Sequence, residues 1–217
     1  MNANKIKPTE IGGHVEKSVS MRILQAPPIC EDSRDSRALL RFSGFTASLL
    51  LLLAGCAGDI HHKMIVSAAD QKMLLFCDGR PTAVYPVSTS KFGLGDRPGS
   101  CATPLGTLRV KRKIGGGSPA GAVFKSRRPT GEVIRVNAPG RDPIVTRILW
   151  LEGTEPRNRR AFARCIYIHG TPEERNIGYP ASYGCIRMRS ADIIELFDTV
   201  GIGARVFITT KPLPPRP

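Results

Sequence analysis

The sequence predicts a mainly β domain carrying one α-helix near its C-terminal end, and three observations lead there. Short runs rich in Val, Ile, Leu and Thr recur from residue 64 onward, most of them separated by Gly, Pro, Asp or Asn clusters; this is how strands joined by turns read. Only Ala191 to Val200 carries a convincing helical stripe. The composition is that of a folded chain, since 41% of the 217 residues are hydrophobic and 23% charged, too apolar for intrinsic disorder.

Taken in order, the first 55 residues stand apart. Met1 to Arg41 scatters charges without periodicity, and Phe42 to Ala54 is apolar, with five consecutive leucines at 49–53. That run is too short to span a bilayer comfortably but suits the apolar region of an export signal, with Arg34, Arg37 and Arg41 as its positive flank. It closes on Leu53-Ala54-Gly55-Cys56, which resembles the bacterial lipoprotein signal, cut before a cysteine that receives lipid. The expectation is an exported protein anchored to a membrane through Cys56 and facing the periplasm or cell wall. Residues 56–61 then read as a tether, 62–210 as the folded domain and 211–217 as a Pro-rich tail.

Within the domain, strands are expected at Met64–Ser67, Met73–Phe76, Thr82–Val87, Gly106–Lys111, Val133–Asn137, Thr146–Leu151 and Cys165–His169. Ile114 to Gly121, with three consecutive glycines, reads as a mobile loop. For the helix, Ser190 is a good N-cap, Ile193, Ile194, Phe197 and Val200 form the stripe, and Gly201 stops it. Ala204 to Thr209 returns as a strand.

The charge balance narrows the partners. There are 32 Lys and Arg against 18 Asp and Glu, a net charge of +14. The segment before Cys56 holds seven basic and five acidic residues, so the basicity belongs to the domain. Basic domains often bind nucleic acid, but aromatic residues are only 6% and zinc spacings are missing, so no nucleic-acid partner is expected. An anionic wall polymer or an acidic membrane surface fits an exported chain better. His61 and His62 have no third ligand at a sensible spacing, so neither metal nor cofactor is expected.

Chemistry concentrates between Cys165 and Met188. Alternation sends Ile166 and Ile168 to one strand face and Tyr167 and His169 to the other. A Pro- and Gly-containing loop leads to Ser182-Tyr183-Gly184-Cys185-Ile186-Arg187-Met188. A thiol becomes a good nucleophile beside an imidazole or a cation, which nominates Cys185 with His169 and Arg187. Gly184 leaves room for a substrate carbonyl, and backbone N–H groups at Gly184 and Cys185 suit an oxyanion.

The segment IYIHGTPEERNIGYPASYGCIRM, residues 166–188, resembles the signature of the L,D-transpeptidase catalytic-domain family. There a His-Gly or His-Ser is followed, after a loop, by Ser-His-Gly-Cys and a short Ile/Val-Arg-Met/Leu tail. Ser88-Thr89-Ser90-Lys91-Phe92-Gly93 leading to Thr103-Pro104-Leu105-Gly106 is a second family-like element, and the resemblance covers about residues 62–210. It implies a mainly β, sandwich-like fold with the helix following the cysteine, and acyl transfer on peptidoglycan stem peptides; a monomer is expected. Cys185 would attack the carbonyl of the third stem residue and expel the terminal D-alanine. His169 would be the proton acceptor and donor, oriented by the backbone carbonyl of Gly170, with Gly184 in the oxyanion region. Arg187, Tyr183, Ser182 and Tyr167 would serve the substrate, Arg187 by positioning or by binding its carboxylate.

One departure stands out: Tyr183 replaces the family's usual His. A phenol does not titrate near neutrality and cannot act as base in its place. A hydrolase on the same scaffold and a non-catalytic wall-binding lipoprotein remain alternatives to the transferase. Cys77, Cys101 and Cys165 permit at most one bridge among themselves, Cys77 and Cys165 reading as buried small hydrophobes. Glu173 and Glu174 read as solvated or as contacts for a substrate amine.

Overall fold

A computed structural model describes residues 58–214; the expected export signal, Cys56 and the end of the Pro-rich tail lie outside the described residues. The strands are β1 (His62–Ser67), β2 (Lys72–Cys77), β3 (Arg80–Pro86), β4 (Gly106–Ile114), β5 (Ala122–Lys125), β6 (Arg128–Val133), β7 (Ile144–Gly153), β8 (Tyr167–Gly170), β9 (Ile186–Met188) and β10 (Arg205–Thr209). Helix α1 spans Ser190–Thr199. The domain is thus mainly β with one α-helix following the cysteine-bearing segment, as the sequence predicts.

The strands run β3-β2-β1-β10-β4-β7 and then divide. β7 pairs antiparallel with β4 along Ile148–Gly153 and with β5 at Ile144 and Val145. It also pairs with β8, from Val145↔Gly170 to Trp150↔Tyr167. Ile148–Leu151 of β7 is an unbroken apolar run because both faces are covered there. Leu149 and Leu151 enter the main core, with Met64, Leu75, Leu108, Ile168, Ile186, Val206 and the Ile193 and Leu196 of α1. Ile148 and Trp150 enter a second cluster with Ala122, Phe124 and Tyr167. Cys165 and Cys185 pack against that second cluster, so the Cys185 thiol lies on the face of β8 opposite the main core.

Several local features differ from expectation. The strand expected at Val133–Asn137 is instead the hairpin β5–β6, and only Val133 of the expected stretch is in a strand. The hairpin turns on Ser126 and Arg127, both with positive φ (51° and 67°), the geometry of a two-residue turn without the usual Asn or Gly. β6 is exposed at every residue, so it has no apolar alternation to read. β8 starts at Tyr167 rather than Cys165, whose φ of 56° breaks the extended run.

Ser190 is the first helical residue rather than the N-cap. Its N–H donates to Glu174 Oε1 (2.7 Å) and its hydroxyl pairs with Thr146 Oγ1 (2.8 Å). Glu174, read as solvated or substrate-facing, therefore caps the helix, a placement the positive end of the helix favours. At the other end Lys113 Nζ donates to the carbonyls of Phe197 (2.5 Å) and Val200 (2.6 Å).

The end of the expected tether is docked. Asp59 accepts N–H groups from His61 (3.1 Å), His62 (3.0 Å) and Gly201 (2.5 Å), and its own N–H donates to Ile202 (2.6 Å). A Cβ on Gly201 would lie 2.8 Å from Asp59 Cβ, so the glycine that ends the helix also admits this contact. Among the described residues no helix is long and apolar enough to cross a membrane.

Candidate active site

The site is built on the β8–β9 pair. The two strands are parallel, in the register Ile168↔Ile186, His169↔Arg187 and Gly170↔Met188. Paired residues of neighbouring strands share a face. Ile168, Ile186 and Met188 are all buried in the main core, so Tyr167, His169, Cys185 and Arg187 fall on the opposite face. Sequence alternation alone foresaw this for Tyr167 and His169; the parallel register adds Cys185 and Arg187.

His169 is buried, and its Nδ1 is 2.8 Å from the Gly170 carbonyl oxygen. A carbonyl can only accept, so the proton sits on Nδ1 and Nε2 carries the lone pair. Gly170 is demanded by packing as well: a Cβ there would stand 2.7 Å from the Val145 carbonyl oxygen and 3.0 Å from Thr146 Cβ. That part of β7 is a bulge, with a register shift between Val145 and Ile148 and Thr146 at φ 73°. Burial pushes the imidazole down to about 4, against the opposing effect of the Gly170 bond.

Cys185 is a half-buried free thiol whose Sγ lies 3.4 Å from the Cys165 carbonyl oxygen. Burial pushes it up to about 11, although the Tyr167 backbone and Arg187 work the other way. Thiol and imidazole are therefore both neutral at neutral pH in this state.

A tight turn presents the cysteine. Ser182, expected at the substrate, is fully buried, its Oγ donating to the Cys185 carbonyl (2.6 Å) and accepting the Gly184 N–H (3.2 Å). Gly184 has φ 118°, a conformation side chains rarely adopt. Of the two N–H groups the sequence nominates for an oxyanion, that of Gly184 is thus engaged by Ser182. Thr103, from the second family-like element, donates to the Gly184 carbonyl (3.0 Å). The Ser88–Lys91 stretch pairs with both arms of the turn. Ser88 exchanges backbone bonds with Arg187 (2.9 and 3.0 Å), Thr89 accepts from Ala181 and Ser182 (3.0 Å each), and Lys91 donates to Ser182 (3.1 Å).

Arg187 is buried, paired with Asp142 (Nη2–Oδ2, 2.6 Å) and donating to the Ala181 carbonyl (3.1 Å). This supports positioning over carboxylate binding. Tyr167 is buried, and burial raises its phenol to about 12. Its hydroxyl accepts from Arg127 Nη1 (3.4 Å), and its ring meets Trp150 edge-on at 5.6 Å. Tyr183 is exposed, and its hydroxyl accepts from Lys91 Nζ (3.0 Å).

Sequence reasoning missed Asp142, Arg127 and the Arg164–Asp96 pair (2.7 Å), since no spacing links these loops to the cysteine motif. His61 and His62 pair with Asp78 (2.6 Å) and Asp59 (2.8 Å). Among the described residues no three His, Cys, Asp or Glu side chains gather where they would hold a metal. Cys77 is buried but disulfide-bonded rather than a lone small hydrophobe, Cys165 is only half-buried, and Cys101 and Cys165 are both free thiols. Glu173 pairs with Arg175 (2.8 Å).

The YkuD family model, the L,D-transpeptidase catalytic domain, matches residues 61–208. The chain is 28% identical over 160 residues to a probable L,D-transpeptidase, YbiS, of Escherichia coli K12, covering 71% of this chain and 46% of that one. It is 29% identical over 159 residues to a putative L,D-transpeptidase, YqjB, of Bacillus subtilis, covering 67% and 70%. The match thus spans less than half the length of the first relative. Among solved structures, L,D-transpeptidase 3 from Mycobacterium tuberculosis aligns with a TM-score of 0.46 at 19% identity, over 69% of this chain and 61% of that one.

Proposed function

Because the chain belongs to the L,D-transpeptidase catalytic-domain family, we propose that it catalyses acyl transfer on peptidoglycan stem peptides through a thioester on Cys185. The observation that carries this reading is the His169 Nδ1 bond to the Gly170 carbonyl, which leaves a basic Nε2 on the face shared with Cys185. The thiol attacks the carbonyl of the third stem residue while its proton passes to Nε2. The tetrahedral intermediate then collapses to the thioester, and the leaving D-alanine amine takes the proton from Nε2. An acceptor amine reverses these steps, giving up its proton to Nε2 and freeing the thiol.

With the thiol at about 11 and the imidazole at about 4, complete proton transfer before attack is uphill. In this proposal the proton moves as the carbon–sulfur bond forms. Because the Gly184 N–H is engaged by Ser182, the Cys185 N–H is the oxyanion donor in this proposal. Arg187 holds the β9 end of the site through Asp142, and the Gly170 carbonyl keeps the imidazole in one tautomer throughout.

Export and lipidation at Cys56 belong to the same proposal and rest on the leader and its LAGC ending. Recovery of Cys56→Ser in the membrane fraction at the normal mature mass would refute the anchor. The catalytic reading is tested by incubating the protein with a stem tetrapeptide, with and without an acceptor amine. Release of D-alanine and a cross-linked product with acceptor support transfer; a tripeptide alone in both arms identifies a hydrolase.

A further inference from the structure

We propose that the Lys91 ammonium is a carboxylate-binding group of this site, presented beside the nucleophile by Tyr183 and Phe92; the proposal rests on the acyl-transfer reading above. The Lys91 main chain is pinned to the cysteine turn, its N–H donating to the Ser182 carbonyl at 3.1 Å. Its Nζ donates to the Tyr183 hydroxyl at 3.0 Å and lies 4.3 Å from that ring's centroid and 5.3 Å from that of Phe92. The two rings are 5.4 Å apart, and Phe92 and Tyr183 are 53% and 59% exposed. Two residues of chain reach at most about 7 Å, so the Tyr183 Cα lies within that distance of the Cys185 Cα.

Of the other cations around the site, Arg127 meets the Tyr167 hydroxyl and Cys165 Sγ on the Trp150 side, and two are answered by carboxylates. Arg187 is paired with Asp142 and Arg164 with Asp96. Lys91 has no carboxylate partner among the described residues; its contacts are a phenol and two aromatic faces, which hold a cation without neutralising it. An ammonium has three donors, and the Tyr183 hydroxyl takes one. Two donors are left for a ligand, and the proposed substrate carries a carboxylate one residue beyond the scissile carbonyl. A diamino diacid at the third position would bring a second carboxylate. This also gives Tyr183 a role where the family's usual residue is His: it is a neutral acceptor that steers the lysine.

The test is peptide binding by calorimetry in a Cys185→Ala background, with stem tetrapeptides that are free acids, C-terminal amides, amides at the third-residue carboxylate, or amides at both. Lys91→Met should weaken the free-acid peptide on the order of five- to tenfold, while Lys91→Arg retains most of the affinity. If the C-terminal amide abolishes the loss caused by Lys91→Met, the ammonium reads the leaving residue; if the third-residue amide does, it reads the diamino acid. Equal binding with and without Lys91, an equal loss for the doubly amidated peptide, or no binding of the free acid overturns the proposal. Turnover by the unsubstituted protein separates the two readings. Lys91-dependent binding without D-alanine release removes acyl transfer and keeps the carboxylate site, whereas turnover with Lys91-independent binding does the reverse.

Discussion

At the residue scale, the account turns on His169 and the tautomer that Gly170 imposes. Removing general-base help costs on the order of 10² or more, so His169→Ala should slow acylation of Cys185 by at least that factor, while Tyr183→Phe leaves it within a few-fold. The pH dependence follows from the same pair. Burial holds the imidazole near 4 and the thiol near 11, so the reactive form, neutral in both, persists between them. Acylation should rise as pH climbs through about 4 and then stay level across neutrality. A rate that keeps climbing through pH 8 to 9 would instead mark a free thiolate as the nucleophile. Folding stability is linked with a definite sign. An imidazole whose folded value lies below its unfolded one binds fewer protons when folded, so stability is full above about 6.5 and falls by about 3 kcal/mol as pH drops toward 4. Denaturant titrations of the protein and of His169→Gln over that range should differ by this slope. Cys185, His169 and Arg187 were legible because strand alternation and a spaced motif carry them. Asp142 was not, because an ion pair between a loop and a strand leaves no trace in local spacing.

At the element scale, the β7 bulge and Gly170 set how closely β8 approaches β7. Gly170→Ala brings a Cβ to 2.7 Å from the Val145 carbonyl oxygen, so the strands must separate and the imidazole must move with them. The expected result is a stability loss of about 1–3 kcal/mol, as for other overpacked sites, with acylation falling more than global unfolding explains. Leu149→Ala, which empties a fully buried position in the main core, should cost about 2–5 kcal/mol yet leave the acylation rate of the folded fraction near normal. Thermal melts paired with acylation rates distinguish the two. Most strands were readable because their apolar runs are bounded by turn residues. The β5–β6 hairpin was not, because its turn is Ser-Arg and β6 is exposed throughout. β9 escaped because three residues in Ile186–Met188 are too few to show a period. The helix was legible but its cap was not: Ser190 binds Thr146, and the cap comes from Glu174, distant in sequence.

At the scale of the whole molecule, the chain closes on itself where it enters the domain. Parallel pairing of β1 with β10 joins the two ends of the domain, and Asp59 ties the entering segment to the loop after α1. Although burial opposes its ionisation, N–H groups from Gly201 and His62 hold the Asp59 carboxyl below its ordinary value. Its contribution is therefore present at neutral pH and lost as pH falls through the lowered value. Asp59→Ala should destabilise the fold by about 1–3 kcal/mol without changing acylation of Cys185, since its contacts are with His61, His62 and the loop after α1 rather than with the cysteine turn.

The central claim, thioester chemistry on Cys185 driven by His169, is tested most directly by mass spectrometry of the protein during turnover of a stem tetrapeptide. The account predicts a tripeptide adduct that maps to Cys185, appears with release of D-alanine, decays on adding an acceptor amine, and forms at least about 10² more slowly in His169→Ala. An adduct on Cys101 or Cys165, or undiminished D-alanine release by Cys185→Ala, would contradict it.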